Sequence, residues 1–253
     1  MKSFFIGLQF LTRLSLVKQS EWSSADFGKS VKFFPLIGAV LGICYALAAY
    51  LLLIFLPLHQ IELPRHFVAV ILLALPILLT GGLHCDGFMD TMDGVFSGRT
   101  RERMLEIMKD SCVGSNAVTA FVLYLLMQWA LLLDFPPREI VAALFVMPII
   151  ARLNMAIGVI CYPYARPDGM GKAFADHANS RSLLFAILSA LILVLPVGIF
   201  AIISMGVALV FGYWFSRYVT KLLGGLTGDV YGAVSQLTEL VVLLVFLATI
   251  HII

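Results

Sequence analysis

The stretch SLLFAILSALILVLPVGIFAIISMGVALVFGYWFS, Ser182 to Ser216, decides the fold. As one helix, its roughly 35 residues would run about 50 Å at 1.5 Å per residue. That is too long for a single crossing of a bilayer and barely enough for two short ones meeting near Pro196 and Gly198. Working outward, apolar runs of crossing length lie near 33–56, 66–83, 113–133, 139–160 and 231–252. Charge parity then chooses between one crossing and two. With two, one side of the membrane collects Lys2, Arg13, Lys18, Lys29 and Lys32, then Arg99, Arg101, Arg103 and Lys109, then Arg166, Lys172 and Arg181, then Arg217 and Lys221. These are fourteen of the 17 basic residues; only Arg65 and Arg138 fall opposite, and Arg152 lies inside a span. A single crossing would send Arg217, Lys221 and Asp229 to the far side. The positive-inside rule makes the shared side cytoplasmic. The expectation is an all-α, polytopic transmembrane bundle of about seven spans. An amphipathic interfacial helix opens it in MKSFFIGLQFLTRLSLVKQ, where Gln9, Thr12 and Arg13 interrupt the apolar pattern and no small-x-small cleavage pattern follows.

Composition supports this compartment. The chain is 61% hydrophobic and 13% charged, with a mean hydropathy of +0.99, too apolar for a soluble domain, whose apolar share is nearer about half. Its formal charge of +2 is spread over short loops and gives no reason to expect nucleic acid as a partner. Cys44, Cys85, Cys112 and Cys161 show no CxxC spacing, so neither a disulfide framework nor a zinc site is indicated. No linker, low-complexity segment or internal repeat divides residues 1–253, which read as one integral membrane domain.

The chemistry concentrates at Gly81–Arg99, GGLHCDGFMDTMDGVFSGR. Asp86, Asp90 and Asp93, spaced i, i+4, i+7, fall within about 60° of one helix face, where like charges repel unless a cation sits among them. Oxygen ligands in this pattern suit Mg²⁺, which takes a few carboxylates and completes its shell with water and substrate phosphate. Gly87 and Gly94 each follow one of these acids, where backbone or phosphate could approach closely. Arg99, Arg101, Arg103 and Lys109 follow as phosphate-type donors. His84 is a candidate base or ligand if Gly81 and Gly82 break the helix and turn it toward the acids. A second patch, GGLTGDVYGA from Gly224, brings Asp229 to the same side, and Glu239 sits about ten residues deeper, where an unpaired charge is expensive. Arg152, inside a span, either neutralises one of these acids or contacts substrate. Arg166 stands in a glycine-containing basic loop that is not a Walker motif.

The HxDGxxDxxDG core, the Gly-Arg-x-Arg-Glu-Arg and Met-Lys-Asp-Ser runs, and the TGDVYGA patch with its downstream Glu together resemble the cobalamin synthase family of adenosylcobinamide-GDP ribazoletransferases. The N-terminal Leu-Gln-Phe-Leu-Thr-Arg-Leu, the Phe-Pro-Leu-Ile-Gly of the first span and the Tyr-x-Arg-Pro-x-Gly-x-Gly loop extend the resemblance over nearly the whole chain. Cys112 departs from the family pattern by replacing an Arg.

The resemblance implies a Mg²⁺-dependent transferase of the bacterial cytoplasmic membrane with its site on the cytoplasmic side. Such an enzyme joins the adenosylcobinamide phosphate of adenosylcobinamide-GDP to α-ribazole or its 5′-phosphate and releases GMP. Enzymes of the same pathway are then plausible partners. The residues expected to act are Asp86, Asp90, Asp93 and Asp229 as metal ligands, with His84 or one of the aspartates as base. Arg99, Lys109, Arg152, Arg166 and Glu239 are expected to bind substrate. A CDP-alcohol phosphotransferase is the nearest enzyme alternative, but its DGxxAR signature fails at Asp90-Thr91. A divalent-cation transporter would place its acids nearer the bilayer midplane.

Overall fold

The computed structural model describes residues 2–17 and 22–252, so Lys18, one of the basic residues counted above, lies outside the described residues. Among these residues the chain is built from helices and has no strand. In order they are α1 (Lys2–Leu11), α2 (Ser24–Ser30), α3 (Phe34–Tyr50), which a π-helical turn joins to α4 (Leu56–Leu58), α5 (Arg65–Thr80), α6 (Leu83–Phe96) and α7 (Arg101–Ile107). There follow α8 (Ser115–Asp134), α9 (Pro137–Cys161), α10 (Met170–His177), α11 (Ser180–Val194), α12 (Ile199–Leu223) and α13 (Gly228–Ile252).

Six helical runs are long and apolar enough to cross a membrane: Ser24–Leu58, Ser115–Asp134, Pro137–Cys161, Ser180–Val197, Ile199–Leu223 and Gly228–Ile252. The pair α5 and α6, bent by 92° at its junction, makes a seventh when counted as one broken span. The ambiguous stretch forms two helices, each long and apolar enough to cross. A 3₁₀ turn over Leu195–Val197 and Gly198, at φ 117°, reverse the chain there. The two helices are less cramped than their apolar core alone suggests, because α12 continues through Arg217 and Lys221 to Leu223. Arg65 confirms that the start of α5 and the end of α8 share one end of the bundle, since its Nη2 donates to the carbonyls of Leu133 (3.0 Å) and Phe135 (2.8 Å).

The core is organised around α9 and α13. Of their most apolar windows 78% and 61% are buried, against 22–39% for the other crossing helices, so these two are wrapped by protein while the rest turn a side to lipid. The outer faces carry Ile43, Phe67, Leu78, Leu126, Ile192 and Val210, all more than half exposed, which suits hydrocarbon rather than water. α3 lies along α9 with no room between them: a Cβ on Gly38 would stand 2.4 Å from the Pro148 carbonyl oxygen, and one on Gly42 2.2 Å from that of Phe145. Small residues at such a crossing let backbones meet where lipid offers no hydrophobic drive to bring them together. The N-terminal helix is drawn into this assembly. Ile6, Leu8 and Leu11 of α1 are buried, Gly7 faces Ile37 and Ser30, and Phe10 stacks with Phe27 and Phe174.

Because the neighbour of Gly42 is backbone, Gly42→Ala is expected to lower stability by about 1–3 kcal/mol, despite the better helix propensity of Ala. Unfolding in detergent micelles checks this; an unchanged midpoint would show that α3 and α9 separate freely.

Candidate active site

Gly81 and Gly82 both take left-handed backbone, at φ 64° and 74°, which side chains disfavour. They end α5 and start α6 at the 92° bend. The N-terminal segment seals the corner: the Arg13 amide donates to the Leu79 carbonyl at 2.7 Å, and its guanidinium occupies the space a Gly81 side chain would fill. From this corner α6 packs against the first turns of α13 and α8. Gly87 fits against the Asp229 backbone and Gly232 against that of His84, at would-be Cβ distances of 2.7 and 3.2 Å. Gly94 faces the Met108 side chain. Gly87 therefore admits the backbone of α13, one of the two approaches expected there, and Gly94 admits the Met108 side chain.

The three acids of α6 share one helix as expected but have different surroundings. Asp86 is exposed. Asp90 is half-buried, and burial, reinforced by the charges of Asp229 and Asp86, pushes its carboxyl up to about 7. Asp93 turns to α8, where Oδ2 accepts from Gly114 N (2.6 Å) and Oδ1 from Ala117 N (2.8 Å). The N-cap of α8 is Gly114, without a side chain, so Asp93 caps that helix from another element.

The loops after α9 and α12 fasten to each other through Ala165 N to Leu226 O and Leu226 N to Pro163 O, both 2.8 Å. This brings Arg166 over the first turn of α13, with Nη2 2.9 Å from Asp229 Oδ2. The approach is poorly directed, so both Nη2 and Nε of this largely shielded guanidinium lack a hydrogen-bond acceptor. Thr227 Oγ1 also donates to Asp229, at 3.2 Å. His84 is fully buried with Nε2 unpartnered; burial, and then the nearby Arg152 charge, hold its pKa well below the usual range, so the ring is neutral.

Two cavities meet at Asp86. One, of about 1380 Å³, is a wide cleft walled by Gln9–Ser15, Trp22 and Thr80–Leu83. The other, of about 250 Å³, runs inward past His84, Arg166, Asp229 and Tyr231.

Four of the residues expected to bind substrate stand elsewhere. Arg152 and Glu239 are buried and pair with each other, Nη1 to Oε1 at 2.9 Å, with Ser235 Oγ also accepting from the guanidinium. Neither lines the two cavities beside Asp86, and Arg152 pairs with an acid, one of the two roles expected of it. Lys109 lies 3.8 Å from Asp168 on the exposed rim, and exposed Arg99 borders a separate hollow beside Asp93 and Cys112. Conversely, Tyr164, Tyr231, Phe10 and Phe174 line the inner cavity without having been singled out. Tyr164 and Tyr231 do lie in the quoted glycine-rich patches, but aromatic rings in an apolar chain look like core.

Among the described residues, no group of three His, Cys, Asp or Glu side chains is already arranged to hold a metal ion. The donor chemistry nevertheless fits Mg²⁺, which commonly takes one or two protein carboxylates and fills its octahedron with water and substrate phosphates. Asp86, Asp90 and Asp229 are such carboxylates, close enough that the charges of Asp229 and Asp86 add to burial in raising the Asp90 pKa.

Fold and site together define a multi-pass membrane protein with a carboxylate-and-arginine centre at one end of its bundle, the equipment of phosphoryl-group transfer. The family model described as Cobalamin-5-phosphate synthase matches residues 3–247. An adenosylcobinamide-GDP ribazoletransferase of Desulfitobacterium hafniense is 41% identical over 96% of both chains. Similarly named proteins of Clostridium acetobutylicum (35%, covering 99% of this chain and 97% of the relative) and Fusobacterium nucleatum (34%, 98% and 97%) agree. No solved structure matches. The chain belongs to the cobalamin-5-phosphate synthase family.

Removing one member of a buried ion pair costs about 3–5 kcal/mol, whereas replacing both with apolar residues is often neutral. Arg152→Met and Glu239→Gln are each expected to destabilise by that amount, and Arg152→Met with Glu239→Leu to recover most of it in detergent unfolding. A folded but inactive double variant would return the pair to the site. Asp93→Ala, which uncaps α8, is expected to cost about 1 kcal/mol in the same measurement; no loss would mean that the cap contributes nothing.

Proposed function

We propose that this protein transfers the adenosylcobinamide phosphate of adenosylcobinamide-GDP to a ribose hydroxyl of α-ribazole or its 5′-phosphate, at the cytoplasmic end of the bundle. The observation that carries the reading is convergence. The motifs around Asp86, Arg166 and Asp229, far apart in sequence, come together on one 250 Å³ cavity in a chain whose family match is nearly end to end. The chemistry balances as a displacement at phosphorus. The acceptor oxygen bonds to the phosphorus on the cobinamide side, the bond from that phosphorus to the bridging oxygen breaks, GMP leaves, and the hydroxyl proton passes to a base.

Arg166, whose Nε lacks an acceptor while Nη2 pairs with Asp229, holds phosphate oxygens. Asp86, Asp90 and Asp229 would hold Mg²⁺, which would supply neutralisation of charge on the diphosphate. His84 Nε2, shielded and without a partner, is the base nearest in type to the task, with Asp86 the other candidate. Asp93 positions α6 against α8, the role its two backbone contacts support. The concentration of basic loops on the site's side favours the cytoplasmic face. The transporter alternative loses ground because Glu239, deep in its span, is already neutralised by Arg152.

In purified protein reconstituted into lipid, GMP release from adenosylcobinamide-GDP is expected to require α-ribazole and Mg²⁺. Asp90→Asn is expected to lower turnover by about 100-fold or more. Release that persists in the variant, or without the metal, would remove the carboxylate-metal centre.

A further inference from the structure

The reaction needs two very different ligands, and the structure offers two very different spaces. The wide cleft and the inner cavity share only Phe10, Leu83 and Asp86, so a carboxylate stands on the wall between them. The inner cavity is about 250 Å³. Phe34, Phe174, Met155 and Val159 line it, all less than a tenth exposed, along with the rings of Tyr164 and Tyr231. Its polar equipment is sparse: Arg166, Asp229 and Asp86, plus two shielded atoms without a hydrogen-bond partner, His84 Nε2 and Tyr231 Oη. Buried polar atoms without partners are costly, which makes these two natural contacts for a ligand's hydroxyl groups.

Resting on the transferase reading above, we propose that this inner cavity is the acceptor site: the flat benzimidazole of α-ribazole lies among Phe34, Phe174, Met155 and Val159, and its ribose faces His84, Tyr231 and Asp86. The larger cleft across Asp86, with Arg13 and Trp22 in its wall, is left for the bulkier corrinoid donor. Guanine is the other flat heterocycle in the reaction, and the lining argues against it. Guanine buries several N–H donors and a carbonyl, and Phe, Met and Val side chains would leave them unsatisfied. A dimethylbenzimidazole has an apolar edge and loses nothing there. Pockets of this kind, mostly apolar with a few polar groups to fix orientation, suit small flat ligands.

The test is steady-state kinetics on the full protein in lipid. Val159→Phe, which narrows the apolar part, is expected to raise KM for α-ribazole at least about tenfold, with KM for adenosylcobinamide-GDP and inhibition by GMP changed less than about twofold. A rise in donor KM or weaker GMP inhibition, with acceptor KM unchanged, would place guanosine in the cavity and overturn the assignment, as would no change in either KM. Should Val159→Phe fail to fold, Val159→Ala provides the converse measurement. It is expected to raise kcat/KM for an α-ribazole analogue with 5,6-diethyl in place of 5,6-dimethyl substituents, relative to α-ribazole itself, by about tenfold. An unchanged ratio would equally overturn the proposal. If the wild-type protein releases no GMP with either acceptor, the transferase reading itself fails; normal wild-type turnover with unshifted specificity fails only the cavity assignment.

Discussion

The close approach of α6 to the start of α13 is the contact on which the rest of the site depends. Asp90 and Asp229 are 139 positions apart in the chain, yet the charge of Asp229 adds to burial in raising the Asp90 pKa. They meet because Gly87 lies against the Asp229 backbone and Gly232 against that of His84, so side chains at either glycine would hold the two helices apart. That crossing is possible only because Gly81 and Gly82 turn the chain by 92° before the acids arrive. Had α5 continued straight, Asp86 and Asp90 would project beyond the bundle end with no second helix to complete their surroundings. The two glycine pairs thus do different work: one sets the direction of α6, and the other allows it to dock.

Charge within the bundle follows another logic. In hydrocarbon or a protein interior, an ion without a partner is several kcal/mol too costly, so each must be matched locally. Arg152 meets Glu239 and Ser235, while Asn154 donates to Thr238 and to the Ala208 carbonyl, tying α9 to both α13 and α12. Tyr124 links Gln128 and Gln236 in the same way between α8 and α13. These contacts lie on the two most buried helices and their neighbours, where they fix rotation of each helix about its axis, a property that apolar packing alone specifies weakly.

Much of the fold was legible because span length and basic-residue placement are one-dimensional properties. The helices α8, α9 and α13 lie within a few residues of their apolar runs, and the reversal falls at Leu195–Gly198 as the Pro196 and Gly198 pair indicated. The site was legible in composition but not in assignment. Spacing placed three acids on one face, yet whether each meets solvent, another acid or a helix end depends on what packs opposite. The Asp93 contact had one local hint: α8 begins at Gly114 with no acidic residue in its first turn, so its exposed amides required an acceptor from elsewhere. Arg152 and Glu239 are separated by 87 positions, and only the docking of α9 on α13 makes them partners. The aromatic wall of the inner cavity was invisible for the opposite reason, since in a chain with 12% aromatic residues every ring has a packing explanation.

The contrast between the bundle interior and its end explains where the chemistry can be. Inside, Arg152 is paired with Glu239 and Ser235, and both members of the ion pair are buried away from the two cavities beside Asp86. At the end, Asp86 and Asp229 share a cavity with the guanidinium of Arg166, and burial, with the charges of Asp229 and Asp86 added to it, raises the Asp90 pKa. Such an imbalance destabilises the protein alone, and more apolar or better-paired residues would remove it. On the function proposed above, a divalent cation accompanied by a diphosphate would supply both the charge for the carboxylates and an acceptor for Arg166 Nε. On that proposal the end of the bundle takes an ion and an anion together, which is what separates a phosphoryl-transfer centre from a cation pathway through the membrane.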